Sequence, residues 1–336
     1  MKRIFVAGSG GWGIALAISA NSCGHKVTLW TPFESEASSL RENRGNEKLL
    51  AGIKIPEEID ITSDIASVTE SDAVIIVTPS KFVRETAEKL AKAGLSGTSP
   101  LIICASKGIC EQQLIPLNEV IESEIPTARC VMLSGPSHAE EVARGVPTLV
   151  VAASKDIAQA ELVQQLLMTP KLRIYTSEDV VGVSLGGAFK NVIALAAGIG
   201  DGMQMGDNAK AALMTRGITE IARLGMAMGA RSDTFGGLTG LGDLIVTCCS
   251  MHSRNRRAGI LIGQGKTPEA AVEEIGMTVE GYITAKAVYR LAEKYNVEMP
   301  ITNAVYRTLY EGADPRKEIS ALMVRDKKRE ADEIWI

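Results

Sequence analysis

This sequence predicts an α/β protein with a doubly wound parallel sheet in its first half and an all-helical second half. Three observations carry that expectation. Unbroken apolar runs alternate with helix-length segments up to about Asp179. Strand signals nearly vanish beyond that point. The first apolar run also leads directly into a glycine-rich turn and a second apolar, helix-length stretch. Strands that are apolar throughout belong in a parallel sheet covered on both faces, not in a half-exposed antiparallel one.

The elements follow in order. Residues 4–7 and 27–30 read as the first two strands, 72–77 as a third, 101–105 as a fourth and 130–133 as a fifth. Helix-like stretches at 34–44, 81–93 and 113–122 lie between them. Runs at 148–153 and 172–175 flank a helix at 157–167 and extend the sheet. Helical periodicity then covers 180–199, 209–228, 268–275, 284–295 and 301–310. The expected division is a sheet-bearing domain at 1–178 and an all-helical domain at 179–336. The mixed-charge run 325–333 reads as a solvated helix end or tail.

Bulk composition narrows the function classes. At 336 residues the chain is long enough for two domains, and its 46% hydrophobic and 23% charged content is that of an ordinary globular protein. A net charge of -4 gives no reason to expect nucleic acid or an anionic membrane as partner, so any anionic ligand needs a local cationic cluster. Met1-Lys2-Arg3 runs straight into a strand, so no secretory leader is expected. The six cysteines form no CxxC pair, which argues against zinc and for free thiols in a reduced, cytoplasmic setting.

The glycine turn carries the first chemistry. Gly8-Ser9-Gly10-Gly11-Trp12-Gly13 has glycines at 8, 10 and 13, between a strand and a helix. In that context the first glycine allows the tight turn and the second admits a pyrophosphate close to the backbone. The third lets the helix pack on the strand, and the helix N-terminus favours the anion. This is the pattern of a Rossmann-type dinucleotide site. In open parallel sheets ligands bind beyond the carboxyl ends of the strands. The turns Thr78–Phe82, Ser106-Lys107-Gly108 and Ser134–Ala139 therefore form a candidate site wall.

Three further features remain open on residue type alone. Lys107 reads as a strand-end ligand or as a solvated surface lysine. Lys190 and Asn191 interrupt a small, apolar segment. A lysine there either snorkels out of a packed helix or, near other cations in a dry pocket, has a lowered pKa and serves as a general acid. The glycine-dense run 236–243 lets backbone approach a ligand and ends in Asp243, which could orient a lysine. Arg254 and Asn255 offer planar donors to a phosphate, or are simply a solvated helix start. Only three histidines are present, leaving little scope for histidine chemistry.

Taken together, the segments Gly8–Ala17, Ala105-Ser-Lys-Gly108, Leu133-Ser-Gly-Pro-Ser-His-Ala139, Leu185-Gly-Gly-Ala-Phe-Lys-Asn191, Gly240-Leu-Gly-Asp-Leu-Ile-Val-Thr247, Ser253-Arg-Asn255 and Thr278-Val-Glu-Gly281 resemble the bacterial NAD(P)-dependent glycerol-3-phosphate dehydrogenases. The resemblance runs along essentially the whole chain. It implies interconversion of dihydroxyacetone phosphate and sn-glycerol 3-phosphate with NAD(P)H, feeding phospholipid synthesis, with the active site between the two domains and no metal. It implies Lys190 as general acid/base, Lys107 holding and polarising the substrate, and Asp243 orienting the lysines. Gly135, Ser137, Thr247, Ser253, Arg254 and Asn255 would line the substrate and its phosphate. Gly8, Gly10, Gly11, Trp12, Gly13, Phe33, Phe82, Lys107, Ala139, Arg254, Thr278 and Glu280 would line the cofactor. A homodimer is expected, since helical second domains often supply dimer contacts. The alternative is a β-hydroxyacid or ketopantoate-type reductase. One departure stands out: after the second strand the sequence reads Trp30-Thr31-Pro32-Phe33-Glu34, so the strand end carries neither an acid nor an arginine, and Glu34 arrives a little late. Preference between NADH and NADPH is therefore open.

Overall fold

A computed structural model describes residues 1–327 together with 329 and 330. The chain divides into two compact units, Met1–Ser106 with Leu117–Val180, and Lys107–Pro116 with Val181–Ile336.

The first unit is built on one sheet. Its strands are β1 (Arg3–Ala7), β2 (Lys26–Trp30), β3 (Ile59–Thr62), β4 (Ala73–Ile76) and β5 (Leu101–Cys104). A short hairpin, β6 (Ile109–Cys110) and β7 (Ile115–Pro116), intervenes before β8 (Arg129–Ser134), β9 (Thr148–Ala153) and β10 (Leu172–Ser177). The eight-stranded sheet has the order β10-β9-β8-β5-β4-β1-β2-β3. The chain order reverses between β1 and β4, the switch point at which such sheets bind ligands. In register Ala7 pairs with both Trp30 and Ile76, so three strands end together at that crevice. Ile4, Val6, Ile75, Ile103 and Val131 are essentially fully buried, as the unbroken apolar runs demanded.

Two features of the sheet depart from the sequence reading. β8 and β9 pair antiparallel while β9 and β10 pair parallel, so the sheet is mixed rather than purely parallel. β3 was not expected as a strand: Ile59-Asp60-Ile61-Thr62 alternates buried and exposed positions at the sheet edge, and carries no continuous apolar run.

The second unit contains the hairpin β6–β7 and a set of helices around their own core, in which Leu185, Phe189, Ile193, Leu224, Phe235 and Leu291 are buried. Ile109 joins that core, so the segment 107–116, which a boundary at 178/179 leaves with the sheet, packs with the helices. Within it residues 109–116 form the hairpin, and the helix expected at 113–122 runs instead over Leu117–Glu124. Local chemistry sets several helix starts. Thr267 caps the helix Pro268–Ile275 and Asp314 caps Pro315–Met323, each with proline at the first position. The helix Val180–Gly202 is long and apolar enough to span a membrane by composition, with mean hydropathy 1.6, yet 89% of that stretch is buried inside the protein. It is a core helix. The charged run 325–333 lies partly outside the described residues.

Candidate active site

The glycine turn in the first unit is shaped for close backbone approach. Gly8 has φ +132°, and a Cβ there would lie 2.9 Å from the Val77 carbonyl oxygen. A Cβ on Gly13 would lie 1.9 Å from the Gly8 carbonyl oxygen, so only glycine lets the helix Gly11–Ser22 start where it does. At Gly10, by contrast, a Cβ would meet nothing within 4 Å, which leaves open space over the helix N-terminus. No acidic side chain occupies the first turn of that helix and no side chain caps it. Its N–H groups and partial positive charge are left for an anion. The buried Trp12 Nε1 likewise has no hydrogen-bond partner among the described residues. Open space, free backbone donors and an orphaned indole N–H together fit a dinucleotide pyrophosphate and its neighbours.

The other first-unit candidates surround this turn to differing degrees. A Cβ on Gly11 would touch the Ala139 side chain at 3.6 Å, so the helix beginning at Ala139 faces the turn. The Ser106 hydroxyl donates to the Thr78 carbonyl at 2.6 Å and ties the turn after β5 to the turn after β4. Sequence reasoning singled out the turn but not that hydroxyl. Phe82 ends a short 3-10 turn after β4 and is 43% exposed, and Phe33 is 63% exposed after β2. Gly135, at φ +133°, packs against the Val150 backbone, and the Ser137 hydroxyl donates to the Gly135 carbonyl at 2.9 Å.

The second unit holds a charged centre. Lys107 Nζ donates to Asp243 Oδ2 at 2.7 Å, and Lys190 Nζ donates to Asp243 Oδ1. Lys190 also donates to Thr247 Oγ1 at 2.7 Å, while that hydroxyl gives its own proton to the Asp243 carbonyl oxygen at 2.6 Å. Local structure explains how they meet. The glycine run forms a π-helical turn, Leu238–Gly242, that leads into the helix Asp243–Cys249 and places Asp243 and Thr247 one turn apart. The helix Val180–Gly202 closes on that turn at Gly186, where a Cβ would lie 2.7 Å from the Thr239 carbonyl oxygen. Lys190 follows one turn later.

Lys190 and Asp243 are 6% and 1% exposed. Burial pulls the Lys190 pKa down from 10.5 to about 8; the Asp243 charge opposes that shift and the Lys107 charge adds to it. An ammonium has three N–H donors. Two of Lys190's are taken by Asp243 and Thr247, and no third acceptor lies among the described residues. The centre thus presents a proton donor near neutral pH with one direction unused.

The remaining candidates are largely occupied by structural hydrogen bonds. Ser253 caps the helix Arg254–Gly263 by accepting from the Arg256 N–H. Asn255 is buried, with its amide donating to Asn191 Oδ1 at 2.9 Å and its carbonyl accepting from the Gly281 N–H at 2.8 Å. Asn191, beside Lys190 in sequence, therefore holds Asn255 in place, and Glu280 begins the helix next to Gly281. Asn191 was legible only as a polar residue in a buried helix. Thr278 lies half-buried just before that helix. A groove of about 940 Å³ in this unit, lined in part by Lys210, Arg216, Glu220 and Arg223, includes none of the lysine-centre residues. Its size does not mark the chemistry.

A dinucleotide-type glycine turn at a sheet switch point, in one chain with a buried lysine–aspartate centre, defines a dinucleotide-dependent oxidoreductase. The profile described as NAD-dependent glycerol-3-phosphate dehydrogenase N-terminus matches residues 3–160, and that described as its C-terminus matches residues 179–320. The chain therefore belongs to the NAD-dependent glycerol-3-phosphate dehydrogenase family and uses NAD(P). It is 48% identical to the glycerol-3-phosphate dehydrogenase (NAD(P)+) of Desulfitobacterium hafniense, over 99% of this chain and 94% of that protein. It is 49% identical to that of Agathobacter rectalis, over 98% of each. The solved glycerol-3-phosphate dehydrogenase of Coxiella burnetii superposes with TM-score 0.92 at 35% identity, covering 96% of this chain and 99% of that one. A ketopantoate reductase from Ralstonia eutropha reaches TM-score 0.62 at 14% identity, covering 94% of this chain and 99% of that one, a likeness of fold alone. The alternative of a ketopantoate-type reductase is not favoured.

Proposed function

We propose that the chain reduces dihydroxyacetone phosphate to sn-glycerol 3-phosphate, reversibly, with Lys190 as general acid in that direction and general base in the other. The supporting observation is the unused N–H of a buried lysine whose pKa sits near 8. NAD(P)H, when bound, would supply the hydride for the carbonyl carbon. Lys190 gives its proton to the carbonyl oxygen as negative charge develops there, and Asp243 and Thr247 hold the ammonium in position. Lys107 shares Asp243 and adds positive charge beside that oxygen, which stabilises the developing alkoxide. Arg254, with the backbone N–H groups at the start of its helix, supplies charge and donors for the substrate phosphate. Asn255 supports that helix start through Asn191 and Gly281. In the first unit, Gly8, Gly10, Gly11, Trp12 and Gly13 receive the pyrophosphate side of the dinucleotide, with Phe33, Phe82 and Ala139 along its length.

The same reading makes the chain a cytoplasmic homodimer whose product enters glycerophospholipid synthesis. Light scattering of the purified protein tests the dimer. The chemistry is tested by following reduced-nicotinamide absorbance with dihydroxyacetone phosphate for native protein and Lys190→Ala. General acid catalysis contributes on the order of 10²- to 10⁴-fold, so turnover should fall by about that factor while cofactor binding survives. Near-normal turnover in the variant would overturn the role given to Lys190.

A further inference from the structure

NADH and NADPH differ only at the adenosine 2′ position, a hydroxyl in one and a phosphate dianion in the other. In a doubly wound sheet that ribose is received at the carboxyl end of β2, where an acid suits the hydroxyl and an arginine the phosphate. Here the end of β2 is held beside the glycine turn, because the Gly8 N–H donates to the Trp30 carbonyl at 3.0 Å.

The side chains that follow are anionic and tightly arranged. Glu34 opens the helix Glu34–Asn43, with Glu36 in the same first turn. The Glu34 carboxylate accepts from the Ser63 hydroxyl, just past β3, from the Ser38 hydroxyl at 3.0 Å, and from Arg41. These donors hold its pKa down at about 2, so it stays ionised. Glu36 accepts from the buried Thr31 hydroxyl at 2.6 Å.

The nearby arginines are already committed. Arg41 donates to Glu34, to the Ser38 hydroxyl at 3.0 Å and to the Ile61 carbonyl at 3.1 Å. Arg44 donates to the Glu57 carboxylate at 2.9 Å and to the Ile59 and Glu57 carbonyls at 3.0 and 2.6 Å. Were Arg41 to turn toward a phosphate it would abandon Glu34, leaving two anions side by side. Of the exposed lysines further along, Lys54 donates to the Asn43 carbonyl at 3.1 Å, and Lys48 adjoins Leu49, whose carbonyl lies 3.5 Å from a Cβ built on Gly11, on the pyrophosphate side.

We infer that this chain selects NADH over NADPH, with Glu34 as the deciding side chain: its fixed carboxylate accepts the ribose 2′-hydroxyl and repels a 2′-phosphate. Sequence position alone put Glu34 a little late after the strand. The hydrogen bonds from Ser63 and Arg41 bring its carboxylate back toward the edge where β2 and β3 end.

The test is binding rather than turnover. Calorimetric titration of the native protein with NADH and with NADPH should give NADH at least tenfold tighter. The gap should narrow as ionic strength rises, because part of it is like-charge repulsion. Glu34→Gln should narrow it further, chiefly by strengthening NADPH, and Glu34→Ser serves as a second neutral variant should the glutamine variant misfold. ADP against its 2′-phosphorylated form should repeat the ranking without the nicotinamide half. NADPH binding as tightly as NADH, or a ratio unchanged in both neutral variants, would overturn the inference. Failure of both dinucleotides to bind would overturn the glycine-turn assignment as well, a separate outcome.

Discussion

Replacing Asp243 by Asn keeps the shape of the side chain and removes the one negative charge that two ammonium groups share. Lys107 and Lys190 bind opposite oxygens of this carboxylate, with side chains 17% and 7% exposed against 1% for Asp243. Breaking such a buried pair costs about 3–5 kcal/mol, because a charge is left without compensation. Lys107 is the more exposed and can relax toward water; Lys190 cannot. Lys190 escapes by losing its proton instead. At pH 7, taking the proton from a Lys190 whose pKa in the native protein is about 8 costs about 1.4 kcal/mol, and at pH 9.5 it costs nothing because the native lysine is already neutral. That cost caps the destabilisation and makes it pH-dependent. The Lys190 pKa, already lowered to about 8, falls further without Asp243. The folded variant then binds fewer protons than its unfolded chain across this range, so its stability rises with pH. Urea unfolding of Asp243→Asn should show a loss of roughly 1–3 kcal/mol at pH 7, the lost hydrogen bonds included, that shrinks by about 1.4 kcal/mol by pH 9.5. A variant as stable as the native protein at pH 7, or a loss equal at both pH values, would refute the shared-charge account.

Other expectations follow from the same geometry. With Lys190 as acid, the rate of ketone reduction should fall as pH rises through about 8 and the rate of alcohol oxidation should rise, read from initial rates across pH 6–10; no inflection in that range would count against Lys190. Gly13→Ala puts a Cβ 1.9 Å from the Gly8 carbonyl oxygen, so the helix must shift; a stability loss of roughly 1–3 kcal/mol and at least tenfold weaker dinucleotide binding are expected by thermal melt and calorimetry. Glu220→Ala strips the acceptor from the Ile301 and Thr302 N–H groups and the Thr302 hydroxyl, all buried, and should cost about 2–4 kcal/mol in urea unfolding. Burial raises the Glu220 carboxyl to about 7, so its contribution is full below about 4.5 and is lost as pH rises through 7; Glu220→Gln should flatten stability between those values.

Much of this protein is legible along the chain because much of it is local. Continuous apolar runs settle which segments are buried strands, since a strand covered on both faces has no polar side to show. The glycine turn is legible because steric permission attaches to particular residues: a Cβ at 13 has no room, and a Cβ at 10 would stand in the open space over the helix N-terminus. The resemblance of seven ordered segments then settles the family. Tertiary structure alone decides what is non-local. The antiparallel pairing of β8 and β9 depends on a chain reversal that apolar content does not encode. β3 is a strand only because β2 is there to pair with it. The segment 107–116 takes its unit from where Ile109 finds a core. Above all, the lysine centre is assembled from residues 53 and 136 positions apart in sequence. A lysine's pKa, its partners and the direction of its unused proton depend on neighbours and burial, and only folding supplies those.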